Sequence, residues 1–210
     1  MQVWFGEEHR FITDVYLMKK RSRQKPDWDA LYEIASTQEG YFSRNQAAEA
    51  GYSSPLLYRH IKGGKFSRSV RGVYRLVYFP PGDHEDLVTI WLWSGRQGVF
   101  SHETALALHG LSDVLPARIY LTLPARWSTR RLRLPKGVVA HYADVQEQER
   151  SWVGSVPVTK PVRTLHDCVA SHLSPELLKQ ALHDGLKRGL FAERDVAEVA
   201  EYLSGFDVEG

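Results

Sequence analysis

One cysteine, Cys168, stands in the whole of this 210-residue chain, and a lone thiol excludes an internal disulfide. Nothing around it marks a nucleophile, so Cys168 reads as a small buried hydrophobe. Long apolar runs are missing too. No stretch approaches the ~20 residues that a membrane-spanning helix needs, which leaves no membrane partner to expect. The one apolar stretch near the start, Phe11 to Met18, is broken by Asp14 and preceded by Glu7 and Glu8. That order contradicts a secretory signal peptide, and the expected location is the cytoplasm. The chain is long enough to bury a core without staples, as one large or two small domains. The most informative absence is local: between Ser53 and Arg75 there are six lysines and arginines and not one acid. The overall net charge of +2 hides this, because residues 18–79 carry twelve Lys/Arg against five Asp/Glu while residues 80–210 carry fourteen against seventeen.

The acid-free stretch lies inside a recognisable order of elements. Ser43 followed by Gln46 makes a capping box, in which the hydroxyl takes a first-turn amide and the glutamine reaches back. Ala47, Ala48 and Ala50 follow, and Gly51-Tyr52-Ser53 forms the short glycine-containing joint between two helices. Ser54 is the expected N-cap of the second helix, with Pro55 in its first turn, where a missing amide is harmless. Leu57 and Ile61 lie four apart and face inward, which puts Ser54, Tyr58, Arg59 and Lys62 on or near the outward stripe. Gly63-Gly64 ends the helix. Phe66, Val70, Tyr74 and Leu76 then interleave with Lys65, Arg68, Arg71 and Arg75, and Gly72 supplies the turn between two short strands. Helix, turn, helix and basic hairpin in this order predict a winged helix-turn-helix that contacts duplex DNA. The candidate contacts are Ser43, Arg44, Ser54, Tyr58, Arg59, Lys62, Lys65, Arg68, Arg71 and Arg75. An ordinary solvated basic helix and hairpin explains each signal singly, whereas DNA contact explains why motif order, caps and charge agree.

The rest of the chain frames this motif. Residues 1–25 read as a flexible N-terminal extension ending in a basic arm of Lys19, Lys20, Arg21, Arg23 and Lys25, either tracking DNA or simply solvated. Met18 offers a second candidate start. Pro26 and Asp27 open a supporting helix with Trp28, Leu31, Tyr32 and Ala35 on one face, which completes a DNA-binding domain over 26–80. Pro80-Pro81-Gly82 breaks the chain. A linking helix follows within 81–97, with Asp83 as cap, Leu87, Ile90, Trp91 and Ser94 sharing a face, and Trp91 and Trp93 as an aromatic hinge or core. From 98 to 205 short strands alternate with helices in a mixed α/β domain. Ser101 caps a helix ended by Gly110, and strands run over Arg118 to Leu123 and Val138 to Tyr142. Ser151 to Val158 is a hairpin. Helices begin at Pro161 and after Ser174-Pro175, the latter with Leu177, Leu178, Ala181 and Leu182 inward, and Val196, Val199, Ala200 and Leu203 stripe a last one. Arg126, Arg130, Arg131, Arg133 and Lys136 read as a second basic surface on a hairpin, for DNA backbone, for an acidic partner, or merely for solvent. The fold class is α+β.

Catalytic patterns fail when tested. His102-Glu103 begins like a zinc-protease helix, but position 106 is Leu and the next histidine is His109, so the two-ligand spacing is absent. Gly63-Gly64-Lys65 lacks the spacing of a phosphate-binding loop and sits where a helix ends. His166-Asp167-Cys168 are chain neighbours, which puts them on different helix faces and separates them as a proton relay. No enzyme, metal or cofactor is expected.

The chain resembles the AbiEi family of antitoxins. In the first domain the resemblance is carried by Ser43-Arg44-Asn45-Gln46-Ala47 and Arg71-Gly72-Val73-Tyr74. In the second it is carried by Ser101-His102-Glu103-Thr104-Ala105-Leu106 with Gly110-Leu111-Ser112, by Pro116 before Ile119 to Leu123, and by Pro161-Val162-Arg163-Thr164-Leu165 with Asp167. It extends over nearly everything from Asp27 to Leu203, and its specificity lies in the order of short motifs. The resemblance implies a repressor that binds inverted repeats in its own promoter. It also implies a functional partner, a nucleotidyltransferase toxin of the AbiEii type, that the carboxyl-terminal domain counteracts with or without a stable complex. A stand-alone winged-helix regulator, or a module docking an acidic protein, would carry the same features.

Overall fold

Asp27 starts the first helix, α1 (Trp28–Ser36), by accepting the Ala30 amide on Oδ1 at 3.0 Å. A computed structural model describes residues 25–206. The basic arm up to residue 24, and Met18 with it, therefore lies outside the described residues. These residues divide between Glu85 and Asp86 into two units.

In the first unit α1 leads to strand β1 (Tyr41–Ser43), helix α2 (Arg44–Glu49), helix α3 (Ser54–Lys62) and the hairpin β2 (Phe66–Val70) and β3 (Val73–Leu76). The strands form one antiparallel sheet in the order β1-β3-β2. Leu31, Ala35, Phe42, Ala47, Leu57, Phe66 and Leu76 fill the space between helices and sheet. Phe42 meets Phe66 edge-on at 5.1 Å, a favoured aromatic geometry. Trp28 and Tyr32, expected to share the buried face of α1, are each 45% exposed, and the Trp28 ring lies against Phe66 and Tyr32. A second departure concerns α3. Ser53, not Ser54, occupies its cap position and makes no side-chain cap bond, while the Ser54 hydroxyl accepts from Arg44.

Helix α4 (Glu85–Trp93) begins at the last residue of the first unit and otherwise belongs to the second. Five consecutive residues, Val88 to Leu92, are buried, so the single apolar face expected there is replaced by a helix covered on several sides. Trp91 packs edge-on against Trp152 at 5.5 Å and belongs to the core. Ser94 follows the helix and donates its hydroxyl to the Trp91 carbonyl at 2.6 Å. Next come β4 (Val99–Phe100), α5 (His102–His109), β5 (Ile119–Leu123), β6 (Val138–Tyr142), β7 (Arg150–Val153) and β8 (Val156–Thr159). Helices α6 (Pro161–Ala170), α7 (Pro175–Lys187) and α8 (Ala197–Ser204) close the unit. The sheet is mixed, in the order β6-β5-β4-β8-β7. Its helices bury Leu106, Leu165, Cys168, Leu178, Ala181, Val199 and Leu203 in one cluster. Ala200 is exposed, and Tyr202 takes its expected place against that cluster. Burial pushes the Cys168 thiol pKa well up, consistent with an unreactive packing residue.

The basic segment between β5 and β6 is not a hairpin. These strands run parallel, with Ile119 opposite Val138 and Leu123 opposite Tyr142. Parallel neighbours cannot be joined by a tight turn and need a long crossover, which residues 124–137 supply.

At the start of α5, Ser101 sits in the cap position without making a side-chain cap bond. Its hydroxyl is within 2.8 Å of His102 Nδ1 and accepts from Thr122 Oγ1 at 2.7 Å. The His102 ring stacks on His141 at 3.7 Å. Burial, with the His141 and Arg163 charges behind it, lowers the His102 pKa to about 4. Unfolded chain therefore takes up a proton that the fold refuses between about pH 6.5 and 4. Stability rises with pH across that window and is lost as pH falls through it, by about 3 kcal/mol from this group. Urea unfolding at several pH values is expected to show this loss, and His102→Gln to reduce it. An equal pH dependence in the variant would show that His102 is not its source.

Candidate nucleic-acid interface

The exposed cationic face of the first unit is assembled by hydrogen bonds that meet at Arg44. The capping box at the start of α2 forms as its sequence dictates: Ser43 Oγ accepts from the Gln46 amide at 3.2 Å, and Gln46 Oε1 accepts from the Ser43 amide at 2.8 Å. Gln46 is buried, so the rest of its amide must also be satisfied. Its Nε2 donates to Gln38 Oε1 at 2.9 Å, and Gln38 in turn donates to the Tyr41 carbonyl at 3.0 Å. With α2 fixed in this way, the Arg44 amide donates to the Gly72 carbonyl at 2.8 Å, and the Arg44 guanidinium donates to Ser54 Oγ at 2.8 Å. One residue thus ties together the start of α2, the start of α3 and the tip of the hairpin.

The joint between the two helices depends on Gly51, whose φ of 80° is cheap only for glycine. Tyr52 is buried beside it, its ring 5.7 Å from His60 and 5.9 Å from Phe66. Leu57 and Ile61 hold α3 against the core, which leaves Tyr58, Arg59 and Lys62 exposed. Lys62 Nζ lies 4.9 Å over the Tyr58 ring, a cation–π contact that pre-orders both side chains. Burial and then the Lys65 and Arg59 charges lower the His60 pKa.

Lys65, Arg68 and Arg71 are exposed along the hairpin. The ladder shifts register between Arg68 and Val70, and such bulges twist a strand and re-aim its side chains. Gly72, at φ 86°, closes the turn.

Arg75 is placed differently from the rest of the set. Its guanidinium pairs with Glu85 Oε1 at 2.8 Å, donates to the Phe79 and Pro80 carbonyls, and lies 5.6 Å over the Tyr41 ring. Sequence reading missed this because Glu85 lies ten residues away, beyond the proline break. It missed the Arg44–Ser54 bond for the same kind of reason: no periodicity relates the starts of two successive helices. In the second unit Arg126 donates to Gln97 Oε1 at 3.0 Å and Arg130 lies 4.7 Å over the Trp127 ring. Arg131, Arg133 and Lys136 are exposed. No group of three or more His, Cys, Asp or Glu among the described residues is placed to hold a metal ion. None of their helices is long and apolar enough to cross a membrane.

Burial alone would raise the Glu85 pKa. Hydrogen bonds from Arg75, Tyr41 and the Gly82 amide, with the Arg75 charge, outweigh it and hold the carboxyl below its usual range. The pair's stabilisation is present at neutral pH and is lost as pH falls through that lowered value. Arg75→Ala is expected to lower the stability of the first unit by about 1–2 kcal/mol, a figure reduced for partial exposure. Glu85→Gln should do nearly as much. Unchanged urea midpoints for both variants would remove Arg75 from the structural framework.

Comparison with known proteins bears on this same segment. Residues 29–77 match the model of a family described as transcriptional regulator, AbiEi antitoxin. The match spans α1 to β3 and includes Ser43, Arg44, Ser54, Tyr58, Arg59, Lys62, Lys65, Arg68, Arg71 and Arg75. No curated protein matches the chain. Among solved structures, the crystal structure of the RV2827C protein from Mycobacterium tuberculosis is 16% identical, with a TM-score of 0.42, over 82% of this chain and 74% of that one.

Proposed function

We propose that this chain, of AbiEi type over residues 29–77, is a non-enzymatic transcriptional repressor. In this reading the first unit is a winged helix-turn-helix that docks α3 in the major groove of promoter DNA. The observation that carries it is the linkage through Arg44. It holds two helix starts and the hairpin turn in one arrangement, while the exposed side chains of α3 and the hairpin are cationic with no acid between Ser53 and Arg75. Hydroxyl and guanidinium side chains at the starts of α2 and α3 are common phosphate donors, so Ser43, Arg44 and Ser54 suit phosphate contact. Tyr58, Arg59 and Lys62 suit base edges, where a good contact discriminates by roughly 1–3 kcal/mol. Lys65, Arg68 and Arg71 suit backbone phosphates, and Arg75 supports them from behind.

The biological setting is an operon shared with a nucleotidyltransferase toxin of the AbiEii type. The repressor binds inverted repeats in its own promoter, and the second unit counteracts the toxin. The family match and the residues that carry the resemblance support this setting.

Three substitutions test the DNA reading in mobility-shift titrations against upstream and random duplex. Arg59→Ala is expected to weaken specific binding roughly tenfold or more, and random duplex far less; parallel losses on both would deny Arg59 a role in reading sequence. Arg68→Ala or Arg71→Ala is expected to weaken binding to any duplex. Each should also flatten the slope of log affinity against log salt by about 0.9, and a slope equal to wild type would take the hairpin off the DNA.

A further inference from the structure

A small polar cavity of about 120 Å³ opens in the second unit, lined by Arg96, Arg126 and Arg150 together with Gln97, Thr122 and Asp144. It lies just past the carboxyl ends of the parallel strands β5 and β6, where the antiparallel strand β4 enters the sheet. Crevices outside the carboxyl ends of strands are where open α/β sheets commonly take ligands. The cavity is built rather than incidental. Arg150 donates through both Nε and Nη2 to the Val145 carbonyl, at 3.1 and 2.8 Å, which fixes its guanidinium plane. Arg126 is fixed by Gln97. Arg96 has a φ of 64° directly after Gly95 at 65°. A non-glycine residue in the left-handed region is a strained placement, of the kind that gathers at binding sites. Asp144 is the one acid in the lining, and its Oδ1 accepts the Ala125 amide at 3.2 Å. Three arginines and one acid therefore share the lining.

The geometry points to an anion site for the terminal phosphate of a phosphate monoester, held by Arg96, Arg126 and Arg150. Forked guanidinium donors match phosphate oxygens better than any other side chain. The volume falls below the ~300–1,000 Å³ of pockets that enclose a whole small molecule, so the site takes one charged group and leaves the rest of the ligand outside. A monoester end carries about −1.5 to −2 charges at neutral pH and can enter a concavity. A phosphodiester within a duplex backbone carries one charge and cannot enter without bending. The inference does not depend on the DNA reading, which concerns the first unit.

Calorimetry on the whole chain tests it, with inorganic phosphate and then a nucleoside 5′-monophosphate as probes at ionic strength matched by chloride. Saturable binding to one site is expected, weakening below about pH 6 as the probe loses a charge. Arg126→Gln and Arg96→Gln should each weaken it about tenfold or more. Arg133→Gln, on the same crossover but outside the cavity lining, should leave it unchanged. Arg150 is left intact because its guanidinium also holds the Val145 carbonyl. Absence of saturation, or equal loss in the Arg126 and Arg133 variants, overturns the site. A short single-stranded oligonucleotide is compared with and without its 5′-phosphate. Preference for the phosphorylated form is expected, and equal competition by both assigns the cavity to diesters and overturns the monoester assignment.

Discussion

Two hydrogen bonds from Arg44 decide whether the first unit presents a face at all. Its amide holds the hairpin turn at Gly72 and its guanidinium holds Ser54 at the start of α3. Both side chains of the Arg44–Ser54 bond are exposed, so it serves to hold the two helix starts in one arrangement more than to add stability. Arg44 can serve both partners only because the capping box and the Gln38–Gln46 amide pair have already fixed α2. The face is thus the outermost layer of a short chain of dependencies that begins in the buried amides.

Charge on this surface is divided by role. Arg75 turns its charge inward to Glu85, where partial burial makes the pair worth more than an exposed one. Lys62 rests on Tyr58. Arg59, Lys65, Arg68 and Arg71 are exposed, and burial, then the Lys65 and Arg59 charges, lower the His60 pKa beside them. A cation already committed to a carboxylate has little left to offer phosphate, so counting charges in the sequence overstates the reach of the interface by at least that residue.

The second unit uses its charges in another way. Arg163 bridges Glu149 and Asp167 at 2.7 and 2.8 Å, close to the stacked His102 and His141. Burial nonetheless raises the Asp167 pKa against that pairing, and Asp167 Oδ2 and His141 Nε2 are buried without a hydrogen-bond partner. The three arginines of the cavity share its lining with a single acid.

Much of this molecule was legible in one dimension. The capping box at Ser43, the glycine joint, the hairpin turn at Gly72 and the inward placing of Leu57 and Ile61 follow from short-range rules, because each involves residues within a turn or two of one another. The parallel pairing of β5 and β6 was not legible, since alternation gives a strand but not its neighbour, and the expected basic hairpin became a crossover. Nor could periodicity tell that Trp28 and Tyr32 would remain half-exposed, because core space is shared among elements distant in sequence. The sequence by itself determined most of the elements, the caps at Asp27, Ser43 and Ser174, and the sign of the surface. Tertiary structure alone decided which cations stay outside, binding Arg75 to Glu85 and collecting Arg96, Arg126 and Arg150 around one cavity, because those choices depend on distances that the chain sets only after it closes on itself.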